Sequence, residues 1–345
     1  MSSILYEIAK KALFQLDPEK AHDLALLSLK TADALGLSSN TKKFVTDPTR
    51  VMGLNFRNKV GLAAGLDKNG DFINCLQNLG FGFIELGTVT PRSQAGNQKP
   101  RLFRIPESNA LVNRLGFNNK GVDYLIDKVK SSKRNGVIGI NIGKNKDTPI
   151  EEAHLDYEYC LRKVYPLADY ITINISSPNT ENLRDLQQSE NLQKLLDHIR
   201  ATRSVLQNAH GTIKPIAVKI APDLDNYQLE KIIEAVKDYG FDGIIATNTT
   251  IQRPDIKLKN LSETGGLSGG LLTQISTRII EKISNLTQGS IPIIGIGGIV
   301  TPQDALDKIN AGASLVQIYS GLIYSGPKLI KDCAQIICRE KRQRA

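Results

Sequence analysis

The chain lacks tryptophan and has two methionines and four cysteines in 345 residues. Cys75, Cys160, Cys333 and Cys338 form no Cys-x-x-Cys pair and have no histidine cluster beside them, which argues against a zinc site and a disulfide framework. No apolar run approaches the ~18 residues that span a bilayer, and the N-terminus lacks the pattern of a secretion signal. These absences predict a cytosolic protein with reduced, mostly buried cysteines and no metal.

Positive charge is in modest excess, with 44 Lys and Arg against 35 Asp and Glu for a net charge of +9. Such a balance is compatible with nucleic acid, an anionic membrane surface or a small acidic ligand. We exclude nucleic acid because the chain has no basic stripe with interleaved aromatic residues. Part of the excess lies in residues 339–344, which form either a solvated tail or a contact with a membrane surface.

Eight short apolar runs rich in Ile and Val follow one another from residue 60, and segments of helical period separate them. Near-continuous apolar runs are typical of strands buried on both faces. The runs are 60–64, 83–87, 137–142, 170–175, 215–220, 243–246, 291–295 and 314–318. They predict an α/β fold of the (β/α)₈ TIM-barrel type, since open doubly wound sheets usually have about five or six strands.

The first 40 residues stand outside this alternation and predict a two-helix extension. Apolar residues recur at helical spacing over residues 4–13. Asp17 and Pro18 then supply an N-cap and a first-turn proline for a second helix, which is expected to stop at Gly36.

We therefore divide the chain into an amphipathic helical hairpin, residues 1–40, and a barrel domain, residues 41–345. The apolar faces of the hairpin either cap the barrel or contact lipid or an apolar ligand. His22, on the second helix, is either a structural residue or a ligand contact.

The residues on which the apolar runs end are informative, because a (β/α)₈ barrel has its active site at the carboxyl ends of its strands. Most of these ends are polar: Asp67 and Lys68, Thr88, Asn141, Asn174, Lys219, and residues 247–249. Amides, hydroxyls and lysines without a carboxylate pair predict a pocket for a polar, electron-rich ligand. The last two runs lead into Gly297-Gly298 and Tyr319-Ser320-Gly321, where glycine lets backbone N–H groups approach a phosphate.

Two features near this mouth have alternative interpretations. Lys219 either forms a Schiff base or stays protonated and stabilises negative charge on a cofactor, and the nearby phosphate site favours the second. The glycine-rich residues 265–269 either add backbone contacts to a ligand or form a flexible connector.

Residues 174–180, Asn-Ile-Ser-Ser-Pro-Asn-Thr, are the most informative stretch. Pro178 favours an extended Ser177, whose hydroxyl can then project into the mouth. A hydroxyl is a poor base unaided, so it would need a relay such as Thr180 or water, and a loop that excludes solvent. Taken alone, the same residues are more typical of a helix-capping turn.

These motifs together resemble the dihydroorotate dehydrogenase family, in its quinone-dependent, membrane-associated class. The matching segments are 14–19, 21–22, 61–68, 85–91, 113–119, 141–145, 174–180, 217–219, 247–250, 265–269 and 317–321. The resemblance implies one FMN per chain and oxidation of (S)-dihydroorotate to orotate in de novo pyrimidine biosynthesis, with a membrane quinone as electron acceptor.

By motif position, the resemblance also implies roles for individual residues. The FMN contacts are Ala64, Gly65, Leu66, Asp67, Lys68, Thr88, Asn141, Asn174, Lys219, Thr247, Gly269, Gly298, Tyr319 and Ser320. The substrate contacts are Lys68, Asn113, Arg114, Leu115, Gly116, Phe117, Asn174, Asn179, Asn248 and Thr249. Ser177 would be the base that removes the ring proton next to the carbonyl while hydride passes to the flavin, and Lys219 would stabilise negative charge on the reduced flavin.

Two features imply the class. The related soluble enzymes, which use fumarate or NAD, carry cysteine as the base and lack the hairpin, whereas this chain has Ser177 and the hairpin. The hairpin would form a tunnel for quinone, with His22 and Arg104 as polar contacts. We expect a monomer or homodimer that associates peripherally with the cytoplasmic side of the inner or cell membrane.

Two other functions compete with this one. The first is a Schiff-base lyase that uses Lys219 in the same fold. The second is a non-catalytic, membrane-peripheral protein that binds a nucleotide.

Overall fold

A computed structural model describes residues 3–36, 44–180, 183–187 and 189–344. Its strands are β1 (Thr49–Val51), β2 (Leu54–Phe56), β3 (Val60–Leu62), β4 (Phe83–Val89), β5 (Leu102–Ile105), β6 (Ala110–Asn113), β7 (Val137–Ile142), β8 (Tyr170–Asn174), β9 (Ile216–Ile220), β10 (Gly243–Ala246), β11 (Gly266–Gly269), β12 (Ile293–Ile296) and β13 (Leu315–Ile318). Its α-helices are α1 (Ser3–Leu13), α2 (Pro18–Ala34), α3 (Ile73–Gln77), α4 (Val122–Ser131), α5 (Ala153–Val164), α6 (Ser189–His210), α7 (Asn226–Asp238), α8 (Thr273–Thr287), α9 (Pro302–Asn310), α10 (Ser320–Ser325) and α11 (Lys328–Arg344).

Eight parallel strands close into a barrel in the order β3, β4, β7, β8, β9, β10, β12 and β13, with β13 pairing back to β3. These are the eight apolar runs of the sequence, so the predicted α/β barrel is confirmed. Every residue of β4 and of β9 is buried, because one face of each strand fills the barrel interior and the other packs under the surrounding helices.

The hairpin forms as predicted over the described part of residues 1–40; residues 1–2 and 37–40 lie outside it. The Asp17 side chain accepts hydrogen bonds from the backbone N–H groups of Glu19 and Lys20 at 3.0 and 3.1 Å, and Pro18 occupies the first turn. Ala21 and Leu26 are buried.

Contacts at both ends fasten the hairpin to the barrel. The Glu19 carboxylate receives hydrogen bonds from Nε and Nη2 of buried Arg101, with a shortest distance of 2.9 Å. On α1, the Tyr6 hydroxyl donates to the carbonyl of Ile323 at 2.7 Å.

Two small sheets were not predicted. The antiparallel pair β1 and β2 precedes the barrel, and Phe56 at its end packs edge-on against Phe83 of β4 with ring centroids 5.1 Å apart. Strand β6 pairs with both β5 and β11 in a three-stranded antiparallel sheet. These strands are three or four residues long, which is too short for a period-2 pattern to distinguish them from loops.

All four cysteines are free and buried, as expected. The burial of Lys308 was not predicted from the sequence. This lysine of α9 is fully buried against α8. Its Nζ donates to Oγ of Ser276 at 2.6 Å and to Oγ1 of Thr277 at 3.0 Å. Burial lowers the pKa of Lys308 to about 7, against the opposing effect of Asp304 and Asp307.

We expect Lys308→Met to raise the free energy of unfolding, relative to wild type, more at pH 6 than at pH 9. The pKa of Lys308 is about 7 when folded and about 10.5 when unfolded, so the unfolded chain binds more protons between these values. Wild type therefore loses stability as pH falls from about 10.5 to 7, and the methionine variant lacks this loss. Urea denaturation at both pH values measures the difference.

Lys282→Met, at an exposed position of α8, is the matched control and should show no such pH dependence. An equal stability difference at pH 6 and pH 9 for Lys308→Met would contradict a shifted pKa.

Candidate active site

A pocket opens at the carboxyl ends of the barrel strands, and it collects most of the residues that the sequence singled out. The predicted residues that line it are Ala64, Gly65, Lys68, Thr88, Asn113, Leu115, Gly116, Phe117, Asn174, Ser177, Asn179, Lys219, Thr247, Asn248, Thr249, Gly269, Gly298, Tyr319 and Ser320. They come from strands far apart in sequence, because closure of the barrel brings all eight strand ends to one mouth.

Four of the residues predicted to contact FMN or the substrate lie elsewhere. Asn141 lies behind Thr88, whose Oγ1 donates to Asn141 Oδ1 at 2.6 Å. Arg114 forms an ion pair with Glu263 at 2.8 Å and lies over the Phe103 ring, 4.5 Å from its centroid. Leu66 and Asp67 line a neighbouring cavity.

One wall of the pocket is bare backbone. Gly297 and Gly298 follow β12 with φ of 113° and 75°, and Gly269 ends β11 with φ of 89°. A Cβ at Gly298 would overlap Thr273 at the start of α8, so the loop can pack there only as glycine. Thr301 caps α9 just beyond, in a reciprocal capping box with Asp304.

Ser177 is buried at the pocket wall, with 5% of its surface exposed. Its Oγ accepts a hydrogen bond from the backbone N–H of Asn179 at 3.2 Å, which leaves the hydroxyl proton available to the pocket. Thr180 Oγ1 is buried without a hydrogen-bond partner among the described residues, so of the two relays considered, Thr180 or water, the one through Thr180 is not formed.

Two lysines give the pocket a positive character. Burial lowers the pKa of Lys68 to about 8, while the Glu19 charge acts in the opposite direction, and Lys68 Nζ donates to the carbonyl of Gly65 at 2.8 Å. Burial also lowers the pKa of Lys219, and the charge of Glu85 raises it. The pocket therefore suits an anionic ligand.

Sequence reasoning missed two interior polar residues, Glu85 and Gln317. Both are fully buried in barrel strands, and Gln317 Nε2 donates to Glu85 Oε2 at 2.7 Å. Each lies inside an apolar run, where a single polar residue did not suggest a site. The alternation of side chains along a strand was the available signal, because it places both residues on the inner face.

A second cavity lies between α2 and the barrel. His22, Glu19, Asp23 and Leu27 of α2 line it together with Leu66, Asp67, Lys68, Asn69, Asp71, Phe72, Leu102, Leu115, Asn118, Lys120 and Tyr319. Three of these residues, Lys68, Leu115 and Tyr319, also line the main pocket, so the two spaces share a wall.

Of the two residues expected at a quinone site, His22 and Arg104, only His22 lines the second cavity. His22 lines the second cavity, and burial together with Lys68 lowers its pKa to about 4. Arg104 instead donates to the carbonyls of Phe14 and Leu16 at 3.2 and 2.9 Å, and it is not among the residues that line this cavity.

The described residues include neither a membrane-spanning helix nor a metal-binding cluster. None of the described helices is long and apolar enough to cross a membrane. No group of His, Cys, Asp and Glu within 3–36, 44–180, 183–187 and 189–344 could hold a metal ion.

A closed parallel barrel with a cationic, amide-rich pocket at the carboxyl ends of its strands defines the chain as a (β/α)₈ barrel with an enzyme-type ligand site. The family model described as Dihydroorotate dehydrogenase matches residues 48–340. The chain therefore belongs to the dihydroorotate dehydrogenase family and is an oxidoreductase.

Curated relatives are similar to this chain over almost its full length. A protein of Methylobacillus flagellatus named Dihydroorotate dehydrogenase (quinone) is 54% identical over 97% of this chain and 99% of its own. One of the same name from Janthinobacterium sp. is 52% identical over 96% of this chain and 97% of its own.

A solved structure is also similar. The crystal structure of DHODH in complex with ferulenol from Eimeria tenella superposes with a TM-score of 0.85 at 36% identity, and covers 95% of this chain and 92% of that one.

We expect Gly298→Ala to lower the free energy of unfolding by about 1–3 kcal/mol more than Gly289→Ala does. Both glycines have positive φ, 75° and 71°, so both variants carry the same backbone strain. Only at position 298 does the new methyl group meet packed atoms, those of Thr273. Urea denaturation of both variants measures the difference, and equal losses would show that the loop is not held tightly against α8.

Proposed function

We propose that this protein oxidises (S)-dihydroorotate to orotate with one bound FMN and a membrane quinone as electron acceptor, in pyrimidine biosynthesis. The observation that carries the proposal is the meeting of Ser177, Lys219 and a set of asparagines in one buried pocket. The names of the curated relatives support both the substrate and the quinone.

The pocket residues fit FMN. The glycine wall at Gly297, Gly298 and Gly269 offers backbone N–H groups to a phosphate. The buried Gln317 Oε1, which lacks a hydrogen-bond partner among the described residues, supplies an acceptor to a donor-bearing ring. Ala64, Gly65, Thr88, Asn174, Lys219, Thr247, Tyr319 and Ser320 would hold the rest of the cofactor. When bound, FMN supplies the two-electron acceptor.

Asparagines on different segments would hold the substrate. Asn179 Nδ2 donates to Asn113 Oδ1 at 3.0 Å, and Asn174 and Asn248 line the same pocket. Their amides present donors and acceptors that complement the ring amides of dihydroorotate, and Lys68 pairs with its carboxylate.

Other pocket residues would position and deprotonate the substrate. Thr249 Oγ1, buried and without a partner among the described residues, is available to a ligand. Ser177 would take the proton from the ring carbon next to the carbonyl and pass its own hydroxyl proton to water, and Lys219 would hold positive charge beside the flavin.

Quinone would reach the flavin through the second cavity. This cavity touches Tyr319, which also lines the main pocket, and one side of it is α2. His22 is neutral near pH 7, since its pKa is about 4, and can hydrogen-bond a quinone carbonyl.

Membrane contact belongs to the hairpin, residues 1–40, which we propose to be functionally distinct from the barrel, residues 41–345. Ile8 and Leu24 are 62% and 47% exposed on its surface. The basic C-terminus is a poorer candidate, because Lys341 pairs with Asp47 near the amino end of β3, at the opposite end of the barrel from the pocket. We propose peripheral binding to the cytoplasmic side of the membrane, as a monomer or homodimer.

In wild type we expect a flavin absorption spectrum that dihydroorotate bleaches without oxygen and that a quinone restores. We expect Ser177→Ala to retain FMN and to slow the bleaching by about 10²-fold or more, because a positioned general base is lost. Anaerobic stopped-flow absorbance measures both reactions.

Reoxidation by quinone is the internal control, since Ser177 has no part in it and its rate should match wild type. Wild-type protein that folds but neither carries nor takes up FMN would overturn the proposed function. Bleaching of Ser177→Ala at nearly the wild-type rate would overturn only the assignment of the base.

We expect Ile8→Asn/Leu24→Asn to weaken binding to anionic phospholipid vesicles about tenfold or more. Burial of one such side chain contributes about 1.5–3 kcal/mol, and both would be lost from the membrane contact. Vesicle co-sedimentation measures the binding. Turnover with a long-chain quinone in the vesicles should fall, while bleaching by dihydroorotate should not change.

The matched control is Ile213→Asn/Leu286→Asn, which changes side chains that are 59% and 49% exposed near the amino ends of the strands. Equal loss of vesicle binding in both double variants would contradict a membrane contact specific to the hairpin.

A further inference from the structure

Glu85 is a carboxylate inside the barrel with no exposed surface. Its Oε1 accepts a hydrogen bond from Asn141 Nδ2 at 2.8 Å. Its Oε2 accepts from the Tyr170 hydroxyl at 2.8 Å and from Gln317 Nε2 at 2.7 Å. All three partners donate, as an ionised carboxylate requires, because it can only accept.

This requirement fixes the orientation of the Asn141 amide. With its Nδ2 directed at Glu85, Asn141 has only its Oδ1 to offer the other side. That oxygen accepts from Thr88 Oγ1 at 2.6 Å and from Asn174 Nδ2 at 3.1 Å. Both Thr88 and Asn174 line the pocket.

The same orientation continues across the pocket wall. Asn174 uses its Nδ2 toward Asn141, so its Oδ1 faces Ser176 and accepts from the Ser176 hydroxyl at 2.9 Å. The Ser176 Oγ in turn accepts from Asn248 Nδ2 at 2.9 Å. The three side-chain amides of this hydrogen-bond path belong to Asn141, Asn174 and Asn248. Each directs its NH₂ group toward the end of the path at Glu85.

A second branch begins at Gln317. Its Nε2 is directed at Glu85, and its Oε1 is buried without a hydrogen-bond partner among the described residues, while the residue lines the pocket. If the acid were replaced by a donor, the Gln317 amide would turn over and present NH₂ in place of an acceptor.

Glu85 also acts on Lys219 through its charge. Lys219 is buried in β9, and burial disfavours its protonated form. The charge of Glu85 is the effect that opposes this burial. Removing the Glu85 charge would leave a protonated Lys219 buried without this opposing effect, which is costly.

We propose that Glu85 is a positioning residue, which sets the orientation of the pocket amides through Asn141 and Gln317. The proposal rests on the proposed function for the identity of the two ligands. Glu85 would touch neither FMN nor dihydroorotate. It would nevertheless determine which hydrogen-bond donors and acceptors the pocket presents to both.

The test is Glu85→Gln in the FMN-loaded full chain. Glutamine has the same shape but is uncharged and has an NH₂ group in place of one acceptor oxygen, so it can accept from only one of the two amides, Asn141 or Gln317, in their present orientations. With Lys219 less protonated, the reduced flavin is less stabilised. At a fixed solution potential we expect the ratio of reduced to oxidised FMN to fall about tenfold, which is about 30 mV for a two-electron couple. The KM for dihydroorotate should rise about tenfold.

Tyr170→Phe is the matched control, because it removes one neutral donor from Glu85 and leaves the charge and both amide bonds in place. Its potential and KM should remain those of wild type. If Glu85→Gln also keeps the wild-type potential and KM, Glu85 only fills the barrel interior and the proposal is overturned.

If Glu85→Gln does not fold, the double variant Glu85→Gln/Lys219→Met tests whether the Glu85 charge compensates Lys219. Recovery of folding in the double variant is expected, since it removes the charge that the single variant leaves unpaired. Failure to recover would overturn the charge pairing. Failure of the proposed function would be distinguishable, because wild type itself would then show no bleaching by dihydroorotate.

Discussion

Closure of the parallel barrel is the constraint on which the rest of the structure depends. Strand β13 pairs with β3, so strands that are more than 200 residues apart in sequence end at the same mouth. Parallel strands need a helix between them, and these helices bury the outer faces of the strands. The polar residues therefore gather where the strands end, and the pocket is a consequence of the topology.

The interior of the protein carries charge, both inside the barrel and between the helices that surround it, and this charge must be compensated. Glu85 is satisfied by three donors, and Lys308 by two hydroxyls on the neighbouring helix. An unpaired charge at these depths would cost several kcal/mol, so the surrounding side chains have little freedom to change orientation. A site whose amides are held in this way loses little energy to reorganisation when a ligand binds.

The hairpin adds a second cavity beside the main pocket of the barrel. The bonds between Glu19 and Arg101 hold α2 against the barrel, and the cavity beneath α2 shares Lys68 and Tyr319 with the main pocket. In the proposed function, the two ligands would approach one cofactor from different sides, the small anionic reductant through the main pocket and the lipid-soluble oxidant through the cavity beneath α2.

The sequence by itself determined the eight strands, the helix start at Asp17 and the glycine wall after β12. These features depend on local periodicity, capping and backbone freedom, which a single chain displays directly. The motif resemblance supplied the family, which the comparisons confirmed, and also the expected ligand contacts.

Only the tertiary structure decided which polar residues meet. Gln317 reaches Glu85 across 232 positions, and β6 pairs with β11 although about 150 residues separate them. Arg114, expected beside the substrate, pairs with Glu263, and Arg104 binds carbonyls of the hairpin. No local pattern encodes such contacts, because they depend on how barrel closure and loop packing bring distant side chains together.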